Sequence, residues 1–364
     1  MGQYEEEKRL VNRPAPFRPA LQDNVHYTRM CYNVLGKGDP GMRTMLIMNP
    51  ASGVSMLATN AGTPEEHEIA IVTALRAHGI EPEIRYTAVE DPGIGLARQA
   101  AVEGVEVVIA AGGDGTVHAV VTGLVGSKSA LGIIPLGTMN NLAHSLSIPE
   151  TIEEACTVIA KGETHAIDVG RINDQFFTEV AGVGLEAALF TAGEEVKSPG
   201  IMTTVLGIID GLRTLLAFRP VQLRIFIGDR KGDRKRYYYR AIQVTICNSR
   251  YYGPQFELVP EALMDDGLLD VVIFKNFSKL EYIRHAISIS QGRRVYQPNL
   301  IHRRVKSLYI RTDHPVEIHA DGLPHGYTPA AVTINPGALQ VRVPARGAAE
   351  LEVEETIAKA QGQV

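Results

Sequence analysis

Short apolar runs alternate with amphipathic stretches from about residue 42 onward. Strands that alternate with helical crossovers are typical of a parallel sheet whose two faces are covered by helices. The run at 105–111 is apolar enough for a buried central strand. We therefore expect a doubly wound α/β domain over residues 42–148, with strands at residues 44–48, 83–86, 105–111 and 131–134.

Polar residues between these strands mark the ends of helices. Thr63 and Glu66 have the spacing of a capping box with a proline between them, so a helix is expected to follow and to end at Gly79. Asp91, followed by a proline, is expected to open a second helix. Apolar positions at helical spacing predict two more helices, one after the glycine cluster at residues 112–116 and one over residues 151–161.

The chain becomes rich in β-type sequence beyond Ala166. This texture predicts a second, mainly antiparallel domain over residues 149–335, which would receive the substrate. Residues 1–41 contain prolines and show no sustained period, so we expect a loosely packed N-terminal extension. Residues 336–364 are expected to pack back on the first domain, with a helical composition over 347–361. Strands of the second domain are expected at residues 221–228, 237–247, 268–274 and 306–312.

Composition excludes several classes of function. The 364 residues are 45% hydrophobic, which allows a sizeable core, and the net charge of −5 gives no overall attraction to nucleic acid. The three cysteines lack the spacing of a zinc site or a disulfide framework, and the charged N-terminus has no apolar leader region, so a cytoplasmic protein is expected. No uncharged stretch reaches the roughly 18 residues of a transmembrane helix. Residues 201–218 are expected to form a helix docked in the core, with a helix on a membrane surface as the alternative.

A glycine cluster, Gly112 to Thr116, lies between a predicted buried strand and a predicted helix. Glycines let the backbone approach an anion closely, and the free N–H groups at a helix N-terminus attract negative charge. Polar segments at residues 49–53 and 136–141 follow two other strands, and the carboxyl ends of parallel strands share one edge. This edge is therefore a predicted phosphate site, and the absence of a Walker lysine and of G-x-G-x-x-G disfavours P-loop and Rossmann sites.

Six motifs occur in a characteristic order: NPASG, AAGGDGTV, PLGTMNNLA, AGVGLEA, VPEALMDDGLLDV and HADG. Together they resemble the motif set of the diacylglycerol kinase catalytic family, a bacterial-type lipid kinase family related to sphingosine kinases and more distantly to NAD kinases. The resemblance covers residues 44–343. It implies ATP-dependent transfer of the γ-phosphoryl group to a lipid hydroxyl, with ATP and Mg²⁺ in a cleft between two domains and with the enzyme peripheral to a membrane surface.

The resemblance also implies site residues. Asp321 of HADG is implied to face the transferred phosphoryl group, where it holds catalytic magnesium or accepts the hydroxyl proton. Asp266, with the backbone carbonyls of Leu263 and Leu268, is implied to hold a structural magnesium, while a simple turn between strands is the alternative. Asp114 is expected to orient a magnesium-bound water network or to cap the helix that follows it. The implied nucleotide contacts are Asn49, Pro50, Ala51, Ser52, Gly53, Thr87, Gly112, Gly113, Asp114, Gly115, Thr116 and Thr138.

Several positions depart from the family pattern. Leu323 stands where the family has the glutamate that is the presumed proton acceptor, and Asn141 stands where it has an aspartate. His118 and Ala119 replace an Asn-Glu pair. Glu179 replaces an asparagine, so it either restores a carboxylate or has a surface or capping role. These changes leave a catalytically weak or inactive nucleotide- or lipid-binding pseudokinase as the main alternative.

Other assignments stay open at the level of sequence. A NAD-kinase-like enzyme acting on a polar substrate is a further alternative. His118 is either a proton carrier or a packing residue. His319 and His325 flank Asp321, and polar packing is favoured over metal binding for both. The acceptor lipid and the oligomeric state, a homodimer included, are not determined.

Overall fold

The first half of the chain alternates strands and helices, as the apolar pattern predicts. The computed structural model describes residues 42–50, 52, 62–194, 211, 213–227, 235–251, 258–276, 278–290 and 299–345. The predicted extension over residues 1–41 therefore lies outside the described residues. The elements of the first half are β1 (Thr44–Met48), α1 (Pro64–Ala77), β2 (Glu83–Tyr86), α2 (Ile94–Val102), β3 (Val107–Gly112), α3 (Asp114–Leu124), β4 (Ala130–Pro135), α4 (Asn141–Ser145) and α5 (Ile152–Lys161).

The four strands of this half are parallel and lie in the order β2-β1-β3-β4. Strands β1, β3 and β4 are buried along their whole length, which is why their sequences are continuous apolar runs. Helix α1 packs against α5 and α2 packs against α3, as expected for a doubly wound sheet. The order reverses between β1 and β3, and ligands bind at such a switch point.

The helix ends follow from local chemistry, with one correction. The side chain of Thr63 accepts a hydrogen bond from the Glu66 N–H, and the Glu66 carboxylate accepts one from the Thr63 N–H, so the predicted capping box is confirmed. Asp91 does not itself open α2, because Gly93 is the N-cap and the helix begins at Ile94. The Asp91 carboxylate instead accepts hydrogen bonds from three backbone N–H groups of that first turn from outside the helix.

The second half is dominated by antiparallel strands. Its β structure begins at Glu163, three residues earlier than predicted. The strands predicted near residues 221, 237, 268 and 306 are all present, with shifts of one or two residues at their ends. The elements are β5 (Glu163–Ile172), β6 (Gln175–Phe177), β7 (Val180–Gly184), α6 (Leu185–Glu194), β8 (Val221–Ile227), β9 (Lys235–Cys247), β10 (Leu269–Lys275), α7 (Lys279–Ser290), β11 (Leu300–Val305), β12 (Ser307–Thr312), β13 (Glu317–Ala320), β14 (Leu323–Tyr327) and β15 (Ala330–Val343).

The strand β15 joins the two halves into one sheet. It pairs antiparallel with β5 and β12, and at Gln340 and Val341 it pairs parallel with β4. The described strands thereby form one fifteen-stranded sheet along the path β14-β13-β7-β9-β8-β12-β15-β4-β3-β1-β2. The helix predicted over 347–361 lies outside the described residues.

Three segments bear on membrane contact and the redox state. Residues 213–217 of the predicted 201–218 helix are helical, with Leu215 buried and Leu216 exposed, while most of the rest lies outside the described residues. Within the described part of the chain, no helix has the length and apolar character needed to cross a bilayer. Cys156 and Cys247 are buried free thiols, as a reduced core predicts.

Candidate active site

The glycine cluster lies at the switch point, where β1 and β3 end. Gly113 is the N-cap of α3, and the Asn49 Nδ2 after β1 donates a hydrogen bond of 3.2 Å to Thr116 Oγ1 in the first turn of α3. This bond ties the first predicted motif to the second. The N–H groups of Gly113 and Gly115 have no hydrogen-bond partner among the described residues, because a helix start offers none.

Two of the glycines are required by close backbone approach. A Cβ on Gly137 would lie 2.6 Å from the Cα of Gly113, so the loop after β4 touches the loop after β3 backbone to backbone. A Cβ on Gly112 would lie 2.6 Å from the Thr116 Cβ. The Asn140 side chain fixes the same loop, since its Oδ1 accepts from the Gly137 N–H and its Nδ2 donates to the Gly137 carbonyl.

A cavity of about 530 Å³ opens at this edge. Its volume lies in the range of small-molecule sites, roughly 300–1,000 Å³. Most of the described residues predicted as nucleotide contacts line it, but Thr138 is exposed and outside the lining, and Ala51 and Gly53 lie outside the described residues. Sequence reasoning missed three lining residues of the segment after β2, Ala88, Val89 and Pro92. The predicted residues that line the cavity are Asn49, Pro50, Ser52, Thr87, Gly113, Gly115 and Thr116.

Asp114 caps a helix other than the predicted one. Its carboxylate accepts hydrogen bonds from the N–H groups of Asn140 at 3.1 Å and Asn141 at 2.7 Å, so it caps α4 and not α3. Burial raises the pKa of Asp114, and the nearby charge of Asp321 adds to that rise. A role in orienting a magnesium-bound water network stays a prediction.

Asp321 sits in the turn between β13 and β14 with a left-handed φ of 46°. Its Oδ1 accepts from the N–H groups of Glu179 and Val180, both at 3.0 Å. Its Oδ2 accepts from the N–H and the hydroxyl of Thr178, at 2.8 and 3.1 Å. Burial alone would raise the pKa of Asp321, but His118 and the N–H groups of Thr178 and Val180 together outweigh it and hold that pKa below its usual range.

His118 brings the first half of the chain against this carboxylate. It lies one helical turn after Asp114 on α3, so both side chains project from the same face of the helix. The His118 Nδ1 lies 3.5 Å from Asp321 Oδ2, and both side chains are about 14% exposed or less. This Nδ1 is buried and forms no regular hydrogen bond among the described residues, so the carboxylate it faces is its natural acceptor.

Glu179 completes a cluster of three carboxylates. Its side chain is 6% exposed, and burial, followed by the charges of Asp321 and Asp114, raises its pKa well above the usual value. No hydrogen bond to its carboxylate occurs within the described residues. The surface or capping role considered from sequence is therefore wrong. A lone acid inside the apolar run FFTEVAGV was the available signal for a buried carboxylate.

A second buried network supports the turn that carries Asp321. The His319 Nε2 lies 2.9 Å from the Glu186 Oε1, and both residues are 2% exposed or less. The Glu186 Oε2 accepts from Gln243 at 2.7 Å and from Thr245 at 2.6 Å. Polar packing of His319 is thereby confirmed, while Glu186 was missed by sequence reasoning.

His325 lies partly buried near the same cluster. Burial first, and then the neighbouring His118 and His319, lower the pKa of His325. Among the described residues, no group of three or more His, Cys, Asp or Glu side chains has the arrangement of a metal site.

Asp266 occupies a turn fixed by hydrogen bonds and an ion pair. Its Oδ1 accepts from the Leu268 N–H at 2.9 Å, and its Oδ2 is paired with Arg304. The buried Asp168 holds the same turn by accepting from the Gly267 N–H at 2.6 Å. In this arrangement the turn does not fit a bound magnesium ion, because the ion would have to displace Arg304. The site at Asp266, Leu263 and Leu268 stays a prediction, and Leu263 is 45% exposed.

Comparison with known proteins agrees with this architecture. The family profile described as "Diacylglycerol kinase catalytic domain" matches residues 43–172, and the profile "YegS C-terminal NAD kinase beta sandwich-like domain" matches residues 181–343. A crystal structure titled as a diacylglycerol kinase from Bacillus anthracis str. Sterne has the same fold, with a TM-score of 0.64 and 23% identity, over 84% of this chain and 98% of that one.

Two curated relatives match over most of their length. The protein "Probable lipid kinase YegS-like" of Klebsiella pneumoniae (strain 342) is 32% identical over 298 residues, which cover 81% of this chain and 96% of the relative. The "Diacylglycerol kinase" of Bacillus subtilis (strain 168) is 28% identical over 294 residues, covering 79% and 91% respectively. The chain therefore belongs to the family of diacylglycerol kinase-like and YegS-like lipid kinases.

Proposed function

We propose that this protein transfers the γ-phosphoryl group of ATP to a hydroxyl group of a lipid. The observation that carries the proposal is the pair of free N–H groups on Gly113 and Gly115 at the start of α3, beside a cavity of nucleotide size. The carboxylate and imidazole cluster of Asp114, His118, Glu179 and Asp321 lies along the same helix and the facing turn.

In this proposal the nucleotide occupies the cavity at the edge of the first half. The phosphates approach the N–H groups of Gly113 and Gly115, where the α3 dipole favours negative charge. Asn49, Ser52 and Thr116 present small polar groups around the same space. The remaining implied contacts, Ala51, Gly53 and Thr138 among them, belong to this proposal on the strength of the family motifs alone.

Glu179 is the residue that would hold the magnesium ion of Mg-ATP. It is buried and unpartnered within the described residues, and a nearby cation would stabilise its ionised form. Mg²⁺ usually takes one or two carboxylates together with phosphate oxygens and water, so a three-residue cage is not needed. The ion would neutralise charge on the transferring phosphoryl group.

We assign the proton-accepting role to His118 and a positioning role to Asp321. A carboxylate has about four lone-pair sites, and those of Asp321 already receive four hydrogen bonds. Its low pKa also makes it a weak base. The Asp321 carboxylate would hold the His118 Nδ1–H, which leaves Nε2 free to accept a proton, as in other carboxylate–histidine pairs.

The proton and electron movements then balance. The acceptor hydroxyl gives its proton to His118 Nε2, and its oxygen forms the new bond to the γ-phosphorus. The bond from that phosphorus to the bridging β,γ oxygen breaks, and its electron pair leaves with ADP. Phosphoryl transfer depends mainly on positioning and charge neutralisation, so the base contributes a part of the rate and not the whole.

Labelled ATP supplied to a panel of acceptors tests the proposal. Diacylglycerol, a sphingoid base and an isoprenoid alcohol are presented in vesicles, and NAD serves as the polar acceptor, each with Mg²⁺. Label in one of the lipids, lost in Asp321→Ala, is expected. Label in NAD only would support the NAD-kinase-like alternative. ATP binding without label in any acceptor would support the pseudokinase, which is favoured by Leu323 and by the Asn141 Oδ1 that stays unsatisfied within the described residues.

A further inference from the structure

The outer face of three neighbouring strands in the second half carries a cluster of arginines and aromatic residues. Strands β9, β8 and β12 lie side by side. Their inward side chains, such as Leu223, Ile225 and Ile310, are buried in the core. Alternate positions point the other way. The exposed or half-exposed side chains of this outer face are Arg224 and Phe226 of β8, Arg236, Tyr238 and Arg240 of β9, and Tyr309 and Arg311 of β12.

Cross-strand pairing places these residues in one grid. Arg224 stands directly opposite Tyr238 on one side and opposite Arg311 on the other. Phe226 stands opposite Tyr309, with ring centroids 6.1 Å apart. Like charges directly opposite each other destabilise a sheet, so the Arg224 and Arg311 pair is unfavourable unless an anion lies over it.

The charge of this face contrasts with that of the chain. The whole chain carries −5, yet β8, β9 and β12 contain no aspartate or glutamate. None of the four arginines, Arg224, Arg236, Arg240 and Arg311, forms an ion pair among the described residues. Tyr238 is 66% exposed and Tyr309 is 36% exposed. The face is therefore a positive surface with accessible aromatic rings and no protein partner in the described part.

We propose that this arginine and tyrosine face docks on an anionic membrane surface. Aromatic side chains of this type concentrate at the level of lipid headgroups, and arginines near an anionic leaflet are attracted to it. The face belongs to a lipid kinase, whose acceptor lies in a bilayer, and within the described residues no helix crosses one. The proposal rests on family membership and not on the ATP chemistry proposed above.

Vesicle sedimentation without nucleotide tests the docking directly. The full chain is mixed with phosphatidylcholine vesicles that contain or lack phosphatidylglycerol, at low and high salt. We expect binding to the anionic vesicles only, weakened by salt because the attraction is screened. Since each cation contributes about fivefold to partitioning near an anionic leaflet, Arg224→Gln with Arg311→Gln is expected to lower it roughly 10- to 30-fold.

A matched control separates this face from overall charge. Arg98 of α2 and Lys128 after α3 are exposed cations of the first half, so Arg98→Gln with Lys128→Gln removes the same charge elsewhere. Retained vesicle binding in this control, with both double variants unfolding at the wild-type temperature, supports the proposal. Equal loss in the two double variants, or no wild-type binding to anionic vesicles, overturns it.

Two further arms distinguish other outcomes. Preferential binding of single-stranded RNA, with no vesicle binding, would overturn the membrane assignment. In the transfer assay, Arg224→Gln with Arg311→Gln is expected to lose activity on vesicle-bound acceptor and to keep it on a short-chain, water-soluble one. Failure of vesicle binding thus counts against the docking face alone, while failure of transfer to every acceptor counts against the proposed kinase function alone.

Discussion

The imidazole of His118 and the carboxylate of Asp321 lie 3.5 Å apart, although they come from opposite halves of the chain. Helix α3 supplies the imidazole, and the turn between β13 and β14 supplies the carboxylate. The backbone of Thr178, Glu179 and Val180 holds that carboxylate in place. The pair therefore links the glycine loop to the second half at the point where phosphoryl transfer is proposed.

Replacing His118 tests the assignment of the proton acceptor. We expect His118→Asn to lower kcat by about 10² to 10⁴, the usual contribution of a general base. The KM for ATP is expected to stay near that of the wild type, because His118 does not line the nucleotide cavity. Added imidazole should restore part of the activity of His118→Gly. His78→Asn, a histidine at the end of α1, is the matched control. Unchanged kcat in His118→Asn would remove this residue from the chemistry.

Asp321→Asn is expected to lower stability in a pH-dependent way. Because the folded pKa of Asp321 is lowered, its ionised form stabilises the protein above the unfolded pKa of about 3.9, and this contribution is lost as the pH falls through the folded value. At neutral pH we expect a loss of roughly 1–3 kcal/mol, since charged hydrogen bonds are replaced. Urea unfolding at several pH values measures it, with the exposed Asp174→Asn as control. A difference that persists unchanged at the lowest pH would contradict this assignment.

Glu179→Gln is expected to stabilise the free protein while lowering its activity. The folded pKa of Glu179 is raised, so stability falls as the pH rises above the unfolded value of about 4.3. Glutamine removes that penalty, and the gain should be present at neutral pH and absent at acidic pH. If Glu179 holds magnesium, the variant should also need more Mg²⁺ for half-maximal activity. Lower stability at neutral pH, with an unchanged Mg²⁺ dependence, would contradict both statements.

Two glycine variants separate the fold of the loop from its binding role. Gly137→Ala is expected to destabilise the protein by roughly 1–3 kcal/mol, because its Cβ would meet the Gly113 backbone. Gly115→Ala meets nothing within 4 Å and should fold at least as well as the wild type. Its methyl group faces the cavity, so ATP affinity should fall. Wild-type ATP affinity in Gly115→Ala would count against a phosphate position at this helix start.

Local signals made much of the first half predictable. The strands at residues 44–48 and 83–86 have the bounds expected from their apolar and β-type runs. The capping box at Thr63 and Glu66 and the cap at Thr151 depend on residues three positions apart, which a sequence displays directly. Asp91 was assigned as a helix start because an aspartate before a proline marks such starts. The conformation of Gly93, with φ of 123°, decides the actual N-cap.

The site depended on contacts that sequence does not display. Asp114 was expected to cap its own helix, but the α4 N-terminus is brought against it by the loop after β4. Glu179 was assigned a surface or capping role, although β7 and the turn at Asp321 bury it. The pairing of His118 with Asp321 requires both halves of the chain in place. Motif order located the loops, and only the tertiary fold shows which side chains face each other.

Calorimetric titration of the full chain with ATP in magnesium buffer tests the central claim most directly. Two temperatures are used, so that a zero enthalpy at one of them does not hide binding. The account predicts saturable heat with a stoichiometry near one, and weaker binding in Gly115→Ala, which retains the wild-type fold. No heat at either temperature, or equal affinity in wild type and Gly115→Ala, would contradict the claim that the start of α3 binds the triphosphate.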